Sequence, residues 1–271
     1  MWHVILLASL VSSLVACGRL GFDPADSPDA GGNDASQADG SIDAPAVCPA
    51  ACSGGCDGSL CKIVAEKLAP CPAGMDCQVD CGKLNDCSSL VDCSKAKSCN
   101  VTCGNEGCRG GIDCGSGPCT VACVDTRACN SNPIDCSQSK DCKITCAADT
   151  CAAAIKCGSG SCTVDCQGDF ACSGLPIDCS QSASCGITCA RNACGTDMNC
   201  GSGTCNVDCR GLGSCSGTIE CASSCACDVA CSGPGSCAMP AMCPQVNQQD
   251  VCTSGDGGCL STQPGCNICG G

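Results

Sequence analysis

The sequence predicts an all-β, disulfide-rich parallel β-solenoid of about eight coils, each of 21–22 residues. Three observations predict it: a dense and even distribution of cysteine, an internal repeat of 43 residues that divides in two, and a strand motif recurring eight times. Forty-three cysteines in 271 residues is about twice the level that already marks a disulfide scaffold. The only aromatic residues are Trp2, Phe22 and Phe170. A chain this poor in large apolar side chains cannot build an ordinary core, so covalent cross-links must take its place.

The repeat is legible in the cysteines. Cys71, Cys114, Cys157 and Cys200 lie 43 residues apart, as do Cys93, Cys136 and Cys179. The text between them nearly repeats, as IDCGSGPCTVAC from Ile112 and IKCGSGSCTVDC from Ile155, interleaved with IDCSQSKDCKITC from Ile134 and IDCSQSASCGITC from Ile177. Units therefore begin at Cys71, Cys93, Cys114, Cys136, Cys157, Cys179, Cys200 and Cys221, each with four principal cysteines. Repeats of this length read as stacked supersecondary units.

The strand motif is C-x-[VI]-x-C, at Cys77/Cys81, Cys99/Cys103, Cys119/Cys123, Cys142/Cys146, Cys162/Cys166, Cys185/Cys189, Cys205/Cys209 and Cys227/Cys231. Strand side chains alternate faces, so both cysteines and the central Val or Ile point inward together. A second, shorter strand fits Ile-Asp-Cys at Ile112, Ile134 and Ile177, and Gly-Ser-Gly at 115–117, 158–160 and 201–203 supplies a corner. Eight coils at ~4.8 Å would make a rod roughly 40 Å long.

These cysteines are the structural disulfide candidates. Cys119 and Cys123, four apart on an extended strand, stand roughly 13 Å apart and cannot bond to each other. Equivalent cysteines on adjacent coils would lie at ~4.8 Å, and pairing in twos would account for the two-coil period. Bridges across the interior of one coil stay open as the alternative. A string of small disulfide knots with little regular structure is the competing architecture.

Residues 1–16 read as an export leader, because the thirteen-residue apolar run at 4–16 fits a signal-peptide core and is too short for a bilayer span. It ends Leu14-Val15-Ala16-Cys17, which resembles the lipobox of bacterial lipoproteins. That resemblance implies lipidation and cleavage at Cys17, and Gly18 behind it resembles the outer-membrane default of Gram-negative members. No Lys or Arg precedes the apolar run, a departure from the usual leader. The implied partner is a membrane, reached through the N-terminal lipid. Setting Cys17 aside leaves 42 cysteines, an even number that permits complete pairing in an oxidising compartment.

Residues 17–47 then read as an acidic, disordered tether that holds the domain off the membrane. Residues 48–70 break the repeat and read as an N-terminal cap, 71–242 hold the repeats, and 243–271 read as a C-terminal cap.

Charge and missing residue types narrow the function. A net charge of −14 disfavours nucleic acid as a partner. The only histidine, His3, lies in the leader, so a histidine base is excluded from the mature chain. On the strand reading Asp92, Asp113, Asp135, Lys156, Asp178, Asn199 and Glu220 form one outward file. Asp113 and Asp135 are its weak calcium candidates, and a solvated acidic edge is the simpler account. Thr102, Thr145 and Thr188 suggest an ice-binding array, but Ala122, Asp165 and Asp208 interrupt it.

The reading is a non-enzymatic cell-surface lipoprotein without cofactor, a structural or adhesive module facing a glycan, matrix or neighbouring cell. A thiolate metal or redox buffer and a carboxylate-dependent polysaccharide enzyme are the alternatives. The terminal Cys266-Asn267-Ile268-Cys269 resembles a redox motif but reads as structural pairing.

Overall fold

The structure is a computed structural model that describes residues 47–242 except 85, 225 and 240. The leader, Cys17, the tether up to residue 46 and the 243–271 segment lie outside the described residues. Two strands open the fold: β1 (Gly55–Asp57) and β2 (Leu60–Val64) form an antiparallel hairpin. From there long and short strands alternate. They are β3 (Asp76–Cys81), β4 (Val91–Asp92), β5 (Ser98–Cys103), β6 (Ile112–Asp113), β7 (Cys119–Cys123) and β8 (Ile134–Asp135). The series continues with β9 (Asp141–Cys146), β10 (Ile155–Lys156), β11 (Ser161–Cys166), β12 (Ile177–Asp178) and β13 (Ser184–Cys189). It ends with β14 (Met198–Asn199), β15 (Thr204–Cys209), β16 (Ile219–Glu220), β17 (Ala226–Cys231) and β18 (Ala241–Met242).

Long strands pair in parallel from β2 to β17, and short strands pair in parallel from β4 to β18. This is a β-solenoid of about eight coils, with two sheets for two of its sides. Residues 48–70 do more than cover the end, because β2 stacks in parallel on β3 and adds a rung of its own.

Register is exact in composition. Ile63, Val79, Val101, Val121, Ile144, Val164, Ile187, Val207 and Val229 form one unbroken inward file. Val91, Ile112, Ile134, Ile155, Ile177, Met198, Ile219 and Ala241 form the facing one. All are buried, and each large aliphatic contributes about 1.5–3 kcal/mol. One residue from each sheet fills the width of a coil.

The third side has no strands, yet it has its own ladder. In each coil the last bridged cysteine (Cys87, Cys108, Cys129, Cys151, Cys172, Cys194, Cys215 or Cys237) adopts a left-handed backbone, with φ between 50 and 57°. Glu106, Arg127, Asp149, Phe170 and Asn192, two positions earlier, do the same. A left-handed L-residue costs roughly 1–2 kcal/mol, so something must hold it. Two amides in opposite directions do: Cys129 N–H donates back to the Gly107 carbonyl, and Arg127 N–H donates forward to the Asp149 carbonyl, both at 3.0 Å.

The 43-residue period has a structural cause. Coils with a Ser-Gln-Ser corner alternate with coils carrying Gly-Ser-Gly. The buried hydroxyls of Ser139 and Ser182 donate to the Gly115 and Gly158 carbonyls of the preceding coil at 2.8 and 2.9 Å. Ser224 repeats the bond to the Gly201 carbonyl at 2.8 Å. The glycines answer a close approach more than a special angle, since within these motifs only Gly115 has positive φ. A methyl group on Gly160 would overlap the Lys140 carbonyl oxygen, and one on Gly203 the Ala183 carbonyl oxygen.

Gly160→Ala is therefore expected to destabilise the oxidised protein by about 1–3 kcal/mol in guanidinium unfolding, by overpacking against immobile backbone. Gly186→Ala, where a methyl meets open space, is expected to be neutral or to stabilise by up to about 1 kcal/mol.

Candidate functional site

Every cysteine among the described residues is bridged, and in the repeats each coil carries two bridges. One spans the corner entering the long strand: Cys71–Cys77, Cys93–Cys99, Cys114–Cys119, Cys136–Cys142, Cys157–Cys162, Cys179–Cys185, Cys200–Cys205 and Cys221–Cys227. The other spans the corner leaving it: Cys81–Cys87, Cys103–Cys108, Cys123–Cys129, Cys146–Cys151, Cys166–Cys172, Cys189–Cys194, Cys209–Cys215 and Cys231–Cys237. Cys48–Cys56 and Cys52–Cys61 staple the first hairpin.

The expected bonds between equivalent cysteines of adjacent coils are not formed, and this corrects the sequence reading. The physical reason is direction. In-register neighbours on parallel strands project their Cβ atoms side by side, near the 4.8 Å rung spacing and beyond the usual Cβ separation of a disulfide. A five- or six-residue corner instead turns two inward cysteines toward each other, at Cα separations such as 5.7 Å for Cys114–Cys119. No strand pair such as Cys119 and Cys123 is joined, as extended geometry requires.

Adjacent coils do associate in twos through sulfur, without a bond. Cys136 Sγ lies 3.2 Å from Cys114 Sγ, Cys179 Sγ 3.4 Å from Cys157 Sγ, and Cys221 Sγ 3.4 Å from Cys200 Sγ. Sulfur in a disulfide is no thiolate, so these groupings hold no soft metal while oxidised. Bridges at this density belong to an oxidising, extracytoplasmic setting.

The outward file of the short sheet is formed as expected, with Asp92, Asp113, Asp135, Lys156, Asp178, Asn199 and Glu220 in consecutive register. Its carboxylates serve their own corners. Asp92, Asp113, Asp135 and Asp178 each accept the amide two residues on, from Ser94, Gly115, Ser137 and Ser180, at 2.9–3.0 Å. One oxygen of both calcium candidates, Asp113 and Asp135, is therefore committed to a turn. Lys156 Nζ stands 3.6 Å from Asp135 Oδ2 and separates it from Asp178 in the file. Burial pushes the Asp135 carboxyl up, but the Ser137 hydroxyl and amide and the Lys156 ammonium outweigh it and hold it below the ordinary carboxylate range. The long-sheet file reads Asp80, Thr102, Ala122, Thr145, Asp165, Thr188, Asp208, which leaves no continuous threonine array.

The concave feature of interest lies on the strandless third side, where the sequence reading had placed nothing. A shallow groove of about 360 Å³ is lined by Thr126, Arg127, Asn130, Asp149, Phe170 and Ser173. A hollow of about 230 Å³ shares Arg127 and Asn130 and extends toward Glu106. Asn130 ties two coils together, donating to the Asp149 carbonyl at 3.0 Å and accepting the Ala152 amide at 2.8 Å. Arg127 is held by Glu106 at 3.2 Å, and Arg191 pairs with Asp169 at 3.1 Å. The sequence signal for this site was Phe170, the one aromatic in the repeats.

These features define a disulfide-rich parallel β-solenoid with covalently locked corners, an architecture consistent with a structural module. No protein-family model, no curated protein and no solved structure matches the chain.

Two outcomes test this description. In Cys119→Ser the orphaned Cys114 faces only its equivalents on adjacent coils, a direction that does not favour a bond, so peptide mapping should find Cys114 alkylated and Cys136–Cys142 intact. A Cys114–Cys136 bridge with Cys142 freed would contradict the corner geometry. Separately, because the Asp135 carboxyl is depressed in the fold, its contribution is present above the unfolded value of about 3.9 and lost as pH falls through the lower folded value. The urea-midpoint difference between wild type and Lys156→Met at low salt should be measurable near about pH 6 and gone near about pH 2.

Proposed function

We propose that this chain is an exported, lipid-anchored, non-enzymatic module that presents a rigid disulfide-stapled solenoid at a bacterial cell surface, probed there by a glycan, matrix or neighbouring cell. The observation that carries the reading is that all described cysteines are bridged, so among the described residues sulfur acts as scaffold and leaves no thiol for metal capture or redox turnover. The rest of the support is in the sequence. The apolar leader ending in Leu14-Val15-Ala16-Cys17 resembles that of bacterial lipoproteins, and lipid on Cys17 would anchor the chain. Residues 17–47 supply an acidic spacer long enough to clear lipid headgroups. Outer-membrane placement follows from Gly18 by the same resemblance.

A solenoid of this kind suits display because covalent bridges stiffen every coil. Each within-coil bridge closes a loop of five or six residues and stabilises by about 2 kcal/mol. The polar outward files keep the sheets soluble and discourage edge pairing with other chains.

In the native host, free-thiol titration of the denatured, unreduced chain should return close to zero, and a strong reductant should abolish the β-sheet circular dichroism signal. Cys17→Ala should eliminate incorporation of radiolabelled fatty acid and shift the chain from membranes to the soluble fraction. Numerous free thiols, or unchanged membrane retention in Cys17→Ala, would overturn the proposal.

A further inference from the structure

We propose that the groove around Phe170 is a binding site for a linear, neutral polysaccharide lying along the solenoid axis; this rests on the surface-display reading and names its ligand class.

The starting point is where the chain puts its aromatic residue. Phe170 is the only aromatic among the described residues, and it is 52% exposed. An aromatic ring normally stabilises by burial, and here most of that gain is forgone. Its backbone adds to the cost, since φ is 60°, a region unfavourable for a bulky side chain. At the same corner other coils carry Glu106, Arg127, Asp149, Asn192, Gly213 and Gly235, all polar or glycine. Packing gives no reason for phenylalanine at this place in the series.

A rigid exposed ring beside fixed polar groups is the chemistry that recognises a sugar. The apolar C–H face of a pyranose covers the ring, while its hydroxyls pair with donors and acceptors at the edges. Phe170 supplies the platform. Arg127, Asp149, Thr126 and Ser173 supply both hydrogen-bonding senses on neighbouring coils. Part of the groove is preorganised: Glu106 pairs with the Arg127 guanidinium, and Asn130 locks the floor between coils. That lowers the ordering entropy lost on binding.

Spacing selects a polymer. Arg127, Asp149 and Phe170 occupy one corner position on three successive coils, so the groove advances by one rung of ~4.8 Å per group. That rise is close to the length of one sugar unit in an extended glycan. A linear chain parallel to the axis therefore meets a new coil with each sugar. Charge selects a neutral one: the whole chain carries −14, which repels acidic polysaccharides, while the local charges of Glu106 with Arg127 and Asp169 with Arg191 are internally paired.

The test is affinity electrophoresis of the full oxidised chain in gels containing mixed-linkage β-glucan, xyloglucan, galactomannan or dextran, with alginate as the acidic comparison. At least one neutral polymer should retard the wild type, and alginate should not. Phe170→Ala should weaken that retardation at least tenfold in apparent Kd, and Phe170→Trp should retain it. Leu212→Ala, an equally exposed apolar residue at 53%, should leave it unchanged. Because Phe170 is exposed, the alanine variant should keep the wild-type circular dichroism spectrum. Retardation by none of the neutral polymers, by alginate alone, or equally in Phe170→Ala would overturn the proposal. Intact bridges and membrane anchoring with no glycan retardation would sink the groove and leave the display reading standing, whereas free thiols would sink the display reading itself.

Discussion

The structure depends on the width of one coil. Twenty-one or twenty-two residues wound around two sheets leave an interior one aliphatic residue deep from each side, such as Ile155 and Val164. Burial at that scale cannot offset the entropy of ordering the chain, and the sulfur atoms make up the difference. Magnitudes show that geometry, and not entropy alone, chose the connectivity. Bonds between coils would close loops of about 22 residues and stabilise by about 3 kcal/mol each, against about 2 kcal/mol for the short corner bridges. The less stabilising pattern is formed because the corner is where two cysteines face one another.

Short bridges have a second consequence. They stiffen each coil but do not tie one coil to the next, so stacking rests on strand hydrogen bonds, on the left-handed corner amides and on the buried serines. Ser139, Ser182 and Ser224 make that stacking unequal, joining coils into pairs through the Gly-Ser-Gly backbone. The sulfur contacts at Cys114/Cys136, Cys157/Cys179 and Cys200/Cys221 follow the same pairs. The mechanical unit is thus two coils, although the folding motif is one.

Function in such a molecule resides on the outside, since the inside is filled with bridges. The two sheets present files dominated by small polar and acidic residues, whose carboxylates are partly engaged in corner capping. The strandless side is different: it varies from coil to coil, while from Cys108 to Cys237 the amide of the last bridged cysteine donates to the preceding coil whichever residue stands two places earlier. That combination, an invariant ladder under a changeable surface, is where a repeat protein can acquire a site without rebuilding its fold. Phe170 and Arg127 occupy that side.

Much of the fold was legible in the sequence. The inward file Val79, Val101, Val121 and its flanking cysteines follow from a period-2 pattern, because strand side chains alternate without exception. The two short-strand and long-strand sides follow from the same rule, as does the impossibility of a Cys119–Cys123 bond. What only the tertiary structure decided is whatever depends on direction between coils: which cysteines face each other, why Gly160 must be glycine, and that residues 60–64 add a rung. The left-handed corner and the groove at Phe170 belong to the same class. Local pattern specifies which face a side chain takes, but the approach of one coil to the next is a distance between residues some 21 or 22 apart, and no local preference encodes it.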